Sequence, residues 1–189
     1  MIGWRALPAA GFQAMPWRNG GGTTWEIARG HFPGGPEAEW HWRFSLAEIT
    51  RDGPFSAFPD IDRLLTVISG AGINLSIEGA DPRRLHAMED IEFPGEGRVD
   101  CTLAAGPTRD LNLMVDRRVA RLVPGRGKSV ITLAPGDIAV LYALEGVSLR
   151  MDTGTIVVAT GDAVIGEGAA EAVIEAGRAI WARAERLAS

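Results

Sequence analysis

Apolar and polar residues alternate along much of the chain with a period of two. From Trp40 to Leu46, Trp40, Trp42, Phe44 and Leu46 face one way, and His41, Arg43 and Ser45 face the other. The same alternation runs through residues 63–69, 73–78, 99–103, 111–115, 130–133, 138–144, 147–151, 155–159 and 172–175. Glycines and prolines, 24 and 11 in number, fall between these segments as punctuation. Many short strands with turn signals between them predict a sandwich or barrel. Amphipathic helices are scarce. Residues 179–187 fit a final strand or a short helix, with strand favoured at Ile180-Trp181-Ala182.

The pattern also repeats. Ile68-Ser69-Gly70-Ala71-Gly72 leads into the strand Ile73-Asn74-Leu75-Ser76-Ile77, and Gly95-Glu96-Gly97 follows. Later, Leu144-Glu145-Gly146 leads into Val147-Ser148-Leu149-Arg150-Met151, and Gly166-Glu167-Gly168 follows. Each half thus has a strand, a Gly turn, an alternating strand and a Gly-Glu-Gly turn. That rhythm fits a duplicated jelly roll.

Composition narrows the function classes. The 189 residues are 46% hydrophobic and 23% charged, which is a globular profile. A net charge of -5 argues against nucleic acid as a partner. Lys128 is the only lysine, so the cations are nearly all arginines, the better carboxylate readers. Cys101 is the only cysteine, which excludes an intrachain disulfide. The start of the chain lacks a basic segment followed by an apolar one, and no apolar run approaches the roughly 18 residues of a membrane span. The expectation is a cytoplasmic protein with no membrane partner.

Candidate chemistry gathers in the first half. Trp17-Arg18-Asn19-Gly20-Gly21-Gly22-Thr23-Thr24 carries three consecutive glycines, whose N–H groups could form a concave anion nest; the alternative is a plain hairpin connection. It is not a phosphate-binding P-loop, because the closing Gly-Lys-Ser/Thr is absent. Thr24 with Glu26, Arg43 with Ser45, and Asp110 with Asn112 are polar pairs at i, i+2, each on one strand face. Either the pairs converge on a pocket, or they form an outward polar face with Arg43–Glu26 or Arg43–Asp110 ion pairs. His31, His41 and His86 form no His-x-His cluster, so no metal is expected, and Asp60 and Asp62 beside Arg63 read as an ion-paired turn. Cys101 alternates with Val99 and Leu103 and reads as a buried structural thiol. Trp40, Trp42 and Phe44 are expected to pack two sandwiches together. Arg126, in the Gly125–Lys128 loop, reads as a solvated turn residue.

Four ordered segments resemble the HutD/Ves family. They are residues 15–28 with Trp17-Arg18-Asn19-Gly20-Gly21-Gly22, residues 42–49 with Trp42-Arg43-Phe44-Ser45-Leu46, residues 53–63 with Gly53-Pro54-Phe55-Ser56-Ala57-Phe58-Pro59, and Arg109-Asp110-Leu111-Asn112-Leu113-Met114. Two departures are visible: Asp60 stands where the family has glycine after Phe-Pro, and Trp25 where a basic residue is common. The resemblance implies an all-β bicupin, two double-stranded β-helix (jelly-roll) sandwiches with little helix. It places an N-terminal cupin with the pocket over residues 1–115 and a degenerate C-terminal cupin over 116–189.

It also implies an association with histidine utilisation. The expected function is metal-independent binding of a small carboxylate-bearing metabolite, without a cofactor. Asn19, Gly20, Gly21, Gly22, Thr24, Glu26, Arg43, Ser45, Asp110 and Asn112 are the candidate ligand-binding residues, with Arg43 the anion reader. The alternative is a metal-free isomerase or hydrolase using Glu26 or Asp110 as acid/base. A homodimer is left open.

Overall fold

The computed structural model describes residues 3–125 and 130–188; Arg126 lies outside the described residues. The first strands are β1 (Gly3–Leu7), β2 (Gln13–Pro16), β3 (Gly22–Gly30), β4 (Trp42–Ile49), β5 (Gly53–Pro54), β6 (Ile61–Ser69) and β7 (Ile73–Ile77). Then come β8 (Arg83–Leu85), β9 (Asp90–Pro94), β10 (Val99–Leu103), β11 (Thr108–Asp116), β12 (Ala120–Pro124) and β13 (Val130–Leu133). The last are β14 (Ile138–Ala143), β15 (Val147–Met151), β16 (Gly154–Val158), β17 (Ala163–Glu167), β18 (Ala170–Ala176) and β19 (Ala179–Arg186). A 3-10 turn at Ala9–Gly11 is the one helical element among the described residues. The tail therefore resolves as strand, as the Ile180-Trp181-Ala182 pattern suggests. The alternating strand beginning at Trp40 instead starts at Trp42 and runs on to Ile49.

The strands form two compact units. One comprises Gln13–His31 with Glu37–Arg118; the other comprises Met1–Phe12, Phe32–Pro36 and Val119–Ser189. In the first unit a six-stranded sheet ordered β2-β3-β4-β11-β6-β9 is accompanied by a four-stranded sheet ordered β5-β10-β7-β8. In the second, β1-β17-β14-β19-β12 accompanies β13-β18-β15-β16. The duplication read from the glycine spacing is explicit in these orders. Strands β4 to β11 and β12 to β19 follow one another through the same positions, with β6 matched by β14, β9 by β17 and β11 by β19. The hairpin β2-β3 is added to the edge of one sheet and β1 to the edge of the other.

The interiors differ. The first sandwich buries Leu65, Val67, Ile73, Leu75, Leu85, Phe93, Val99 and Cys101. Burial pushes the Cys101 thiol up to about 12, so it stays protonated. The second buries Leu141, Leu149, Val164 and Trp181, with Trp4 packed against them. Where β11 turns Asp110, Asn112 and Met114 inward, β19 turns the Trp181 indole into its core. Trp40 packs with Ile61, Met114 and Phe58 in the first unit.

Candidate functional site

Cross-strand register builds the site. In the six-stranded sheet Thr24 faces Ala47, and Ala47 faces Asp110. One step along, Glu26 faces Ser45, and Ser45 faces Asn112, which faces Leu65. The next row runs Arg43, Met114, Arg63. Residues directly opposite in a ladder share a sheet face. The polar pairs on β3, β4 and β11 are thus brought to one face, and Arg63 joins them from β6. Deeper along β6 that face carries Leu65 and Val67, so the same surface passes from polar to apolar.

A cavity of about 580 Å³ opens over this face. Thr24, Arg43, Ser45, Asp110, Asn112 and Arg63 line its sheet side, and Trp17, Arg18, Asn19, Phe55 and Phe58 are among the loop residues that line the rest. The Trp17 indole donates to the Thr24 hydroxyl at 2.8 Å and meets Phe55 edge to face at 6.2 Å between centroids. Trp17 therefore ties the glycine turn to the strand beneath it and to the loop opposite.

Arg63 is the deepest cation, only 6% exposed. Its guanidinium carbon lies 4.8 Å from the centroid of Phe93, 5.3 Å from Phe55 and 5.8 Å from Phe58. Its Nη2 donates to Asn112 Oδ1 at 3.0 Å, while its buried Nε has no hydrogen-bond partner among the described residues. Burial lowers its pKa to about 10, and it remains a cation at neutral pH. The Asn112 amide in turn donates through Nδ2 to Asp110 Oδ1. Asp110 is 1% exposed, and its Oδ2 is buried without a partner among the described residues. Burial pushes the Asp110 carboxyl up to about 7, against the pull of Arg63 and Asn112.

The sequence expectations fare differently. Asn19, Thr24, Arg43, Ser45, Asp110 and Asn112 all line the cavity; Glu26 and the three glycines do not. Glu26 Oε2 accepts from Arg43 Nε at 2.8 Å, so the Arg43–Glu26 ion pair exists beside the pocket rather than instead of it.

The glycine turn is not an open anion nest. The Gly20 N–H donates to the Trp17 carbonyl at 3.0 Å and the Gly21 N–H to Asn19 Oδ1 at 2.9 Å. Gly22 is in the ladder opposite Ile49. A Cβ at Gly22 would meet the Glu48 carbonyl oxygen at 2.4 Å, so this glycine is required by backbone approach.

The ion-paired turn around Asp60 and Asp62 also has other partners than expected. Asp62 accepts from Arg117 Nε at 2.8 Å, and Asp60 lies 3.3 Å from Arg118, leaving Arg63 to the cavity. Asp60 holds φ at 64°, which explains why glycine suits that position. Trp25 carries the Arg109 guanidinium 5.6 Å from its ring centroid. Among the described residues no group of three or more His, Cys, Asp or Glu is placed to hold a metal.

Sequence reasoning missed Arg63 as a site residue. The available signal was its phase: Arg63 falls on the same strand face as Leu65 and Val67, and an arginine in register with a core stripe needs a buried purpose.

Comparison with known proteins agrees with this architecture. A Pseudomonas putida relative described as an uncharacterized 21.2 kDa protein in the hutC 3' region is 35% identical over 147 residues, covering 77% of this chain and 76% of its own. A protein named Ves from Citrobacter koseri is 37% identical over 102 residues, 53% of this chain and 52% of that protein. The solved structure of HutD from Pseudomonas fluorescens aligns with a TM-score of 0.80 at 28% identity, over 98% of this chain and 100% of that one. The Escherichia coli pirin YhhW, solved with nickel(II), aligns with a TM-score of 0.64 at 12% identity over 98% of this chain and 100% of its own, a likeness of fold alone. These neighbours and the strand order make the fold a double cupin. The HutD family model matches residues 9–182, and the chain belongs to the HutD family.

Proposed function

We propose that this protein binds a small carboxylate-bearing metabolite in the N-terminal cavity, without a metal, and acts in histidine utilisation as a sensor or buffer of that metabolite. The carrying observation is Arg63, a buried cation whose Nε lacks a partner among the described residues, beside Arg43 in the same cavity wall. A guanidinium left with an unsatisfied N–H in a desolvated site favours a carboxylate, which accepts two parallel bonds. The cavity's size suits a small metabolite. The link to histidine utilisation is supported by the family and by the hutC-region name of the P. putida relative. A cytoplasmic site of action belongs to this proposal; no helix among the described residues is long and apolar enough to cross a membrane.

Calorimetry with urocanate, formiminoglutamate and formylglutamate tests the proposal. At least one should bind wild type and bind Arg63→Ala at least tenfold more weakly. If none binds, or if Arg63→Ala binds equally well, the proposal fails.

One observation favours a second possibility, a metal-free isomerase or hydrolase. Asp110 titrates near neutrality inside the cavity, as a general acid/base requires. Glu26 fits that role less well, because Arg43 holds it as an ion pair. Incubating any bound compound with the protein and following it by NMR separates the two: turnover lost in Asp110→Asn marks an enzyme.

A further inference from the structure

Two buried atoms in the cavity wall lack hydrogen-bond partners among the described residues, and they have opposite character: Arg63 Nε is a donor and Asp110 Oδ2 an acceptor. Asn112 joins their side chains, taking a bond from Arg63 and giving one to Asp110. A ligand carboxylate drawn to Arg63 therefore arrives beside a second carboxylate that is itself buried in the cavity wall. Two carboxylates sharing one such site do not both stay ionised, and one of them takes a proton.

We propose that the cavity takes up its carboxylate together with one proton, which settles on Oδ2 of Asp110 and turns that atom from an acceptor into a donor toward the ligand. The proton comes from solvent. Asp110 and the ligand enter as two anions and one proton, and they leave as a carboxylic acid hydrogen-bonded to a carboxylate, with no other bond made or broken. Asp110 is then a specificity residue. Protonated, it favours an acceptor oxygen on the ligand and rejects an N–H group at the same point. The inference rests on the carboxylate-binding proposal above and adds the proton to it.

The surroundings allow this. Arg63 on β6 and Arg43 on β4 are the cations facing the site from the sheet, and Arg43 is paired with Glu26 on β3. Arg18 lines the cavity from the glycine turn and is exposed. On the opposite sheet the Cys101 thiol on β10 feels the charges of Asp110 and Asp52 and stays protonated. Asn112 supplies a neutral amide. Asp110 is therefore the group among these that exchanges a proton around neutral pH. With its Oδ1 already held by Asn112, Oδ2 is the atom open to the proton.

The test uses formate, the smallest carboxylate, ionised throughout the range needed. Titrations of the full chain run from about pH 5.5 to about pH 8.5, each in two buffers of different ionisation enthalpy, which counts protons directly. Wild type should take up close to one proton per formate at the alkaline end and almost none at the acid end. Its affinity should fall by up to about tenfold per pH unit above the Asp110 pKa. Asp110→Asn, whose amide can donate permanently, should bind formate with no proton uptake and little pH dependence.

Formate binding with no proton uptake in wild type overturns this inference and leaves the carboxylate proposal standing. Affinity for formate that rises with pH also overturns it, because the ionised form of Asp110 would then be the binding form. Failure of formate to bind at any pH, with none of the larger carboxylates binding, removes the carboxylate proposal itself. The wild-type proton count decides the matter even if Asp110→Asn does not fold.

Discussion

The Arg63 guanidinium donates to Oδ1 of Asn112 at 3.0 Å, although 49 residues separate them in the chain. The bond fixes which way the Asn112 amide points: its oxygen is taken by Arg63, so its nitrogen is left for Asp110. One side chain thereby sets the hydrogen-bond polarity of the run from Arg63 through Asn112 to Asp110. Arg63 should carry the larger share of anion binding. Arg63→Ala and Arg63→Lys should each weaken carboxylate binding at least tenfold, since removing one member of a buried charged pair costs ~2–5 kcal/mol and an ammonium cannot make the fork. Arg43→Ala should lose less affinity, because Arg43 Nε already serves Glu26. Arg150→Ala, which breaks an exposed pair with Glu175 in the other unit, should bind as wild type does. Calorimetry across these four variants orders them.

Asp110 should make stability depend on pH. Its carboxyl rises from 3.8 to about 7 on folding, so the folded state holds that proton more tightly than the unfolded one. Its contribution is full below about pH 4 and is lost as pH climbs through about 7. Asp110→Asn does not titrate. Its melting temperature relative to wild type should therefore improve by several degrees between about pH 5 and about pH 8, at roughly 2–4 °C per kcal/mol for a chain of this size. Calorimetric melts at both pH values measure the difference, and a relative loss at high pH would contradict it.

The three glycines of the turn should respond unequally. Gly20 has φ of 67° with open space around it, so Gly20→Ala meets only the backbone penalty of about 1 kcal/mol. At Gly21 a Cβ would come 3.1 Å from Asn19 Oδ1, a side chain that can yield. At Gly22 the obstacle is the Glu48 carbonyl, which belongs to the ladder, so Gly22→Ala should destabilise most, by about 1–3 kcal/mol or more. Urea melts of the three variants give the ranking. An anion nest predicts instead that affinity suffers at all three sites with stability unchanged.

Protein purified without a histidine tag should hold well under one equivalent of iron, zinc, manganese, nickel or copper. The motivation is the absence, among the described residues, of any cluster of three ligating side chains. Elemental analysis showing a stoichiometric metal, removed together with binding activity, would refute this.

Much of the fold was legible because strand alternation is a local property. The faces of β4 and β11 could be read directly, and with them Arg43, Ser45, Asp110 and Asn112. The glycine spacing also pointed to the duplication, since the turns at Gly70–Gly72 and at Gly146 follow the equivalent strands β6 and β14; the second Gly-Glu-Gly segment is not a turn, because Gly166 and Glu167 lie inside β17. Partnership across the chain was not legible. Arg63 looked like the natural partner of Asp60 and Asp62, yet Arg117 and Arg118 take those acids from the far end of β11. What releases Arg63 to the cavity is a set of distant rings, Phe55, Phe58 and Phe93, that no spacing rule joins. The turn glycines were read as ligand-facing because three in a row permit a nest. Which backbone approaches them is decided by β4, more than twenty residues later.

Strand β1 pairs in register with β17, Gly3 opposite Glu167 and Leu7 opposite Ala163. During synthesis, β1 must wait for roughly 160 further residues before its partner exists, on the order of ten to thirty seconds at ordinary ribosomal rates. Residues 13–118 can complete their own sandwich within that interval. Until β1 docks, β17 presents a bare sheet edge to other chains, the arrangement most prone to edge-to-edge association. Crowded nascent chains are thus most exposed to mispairing in the interval after β17 has emerged and before β1 returns to it.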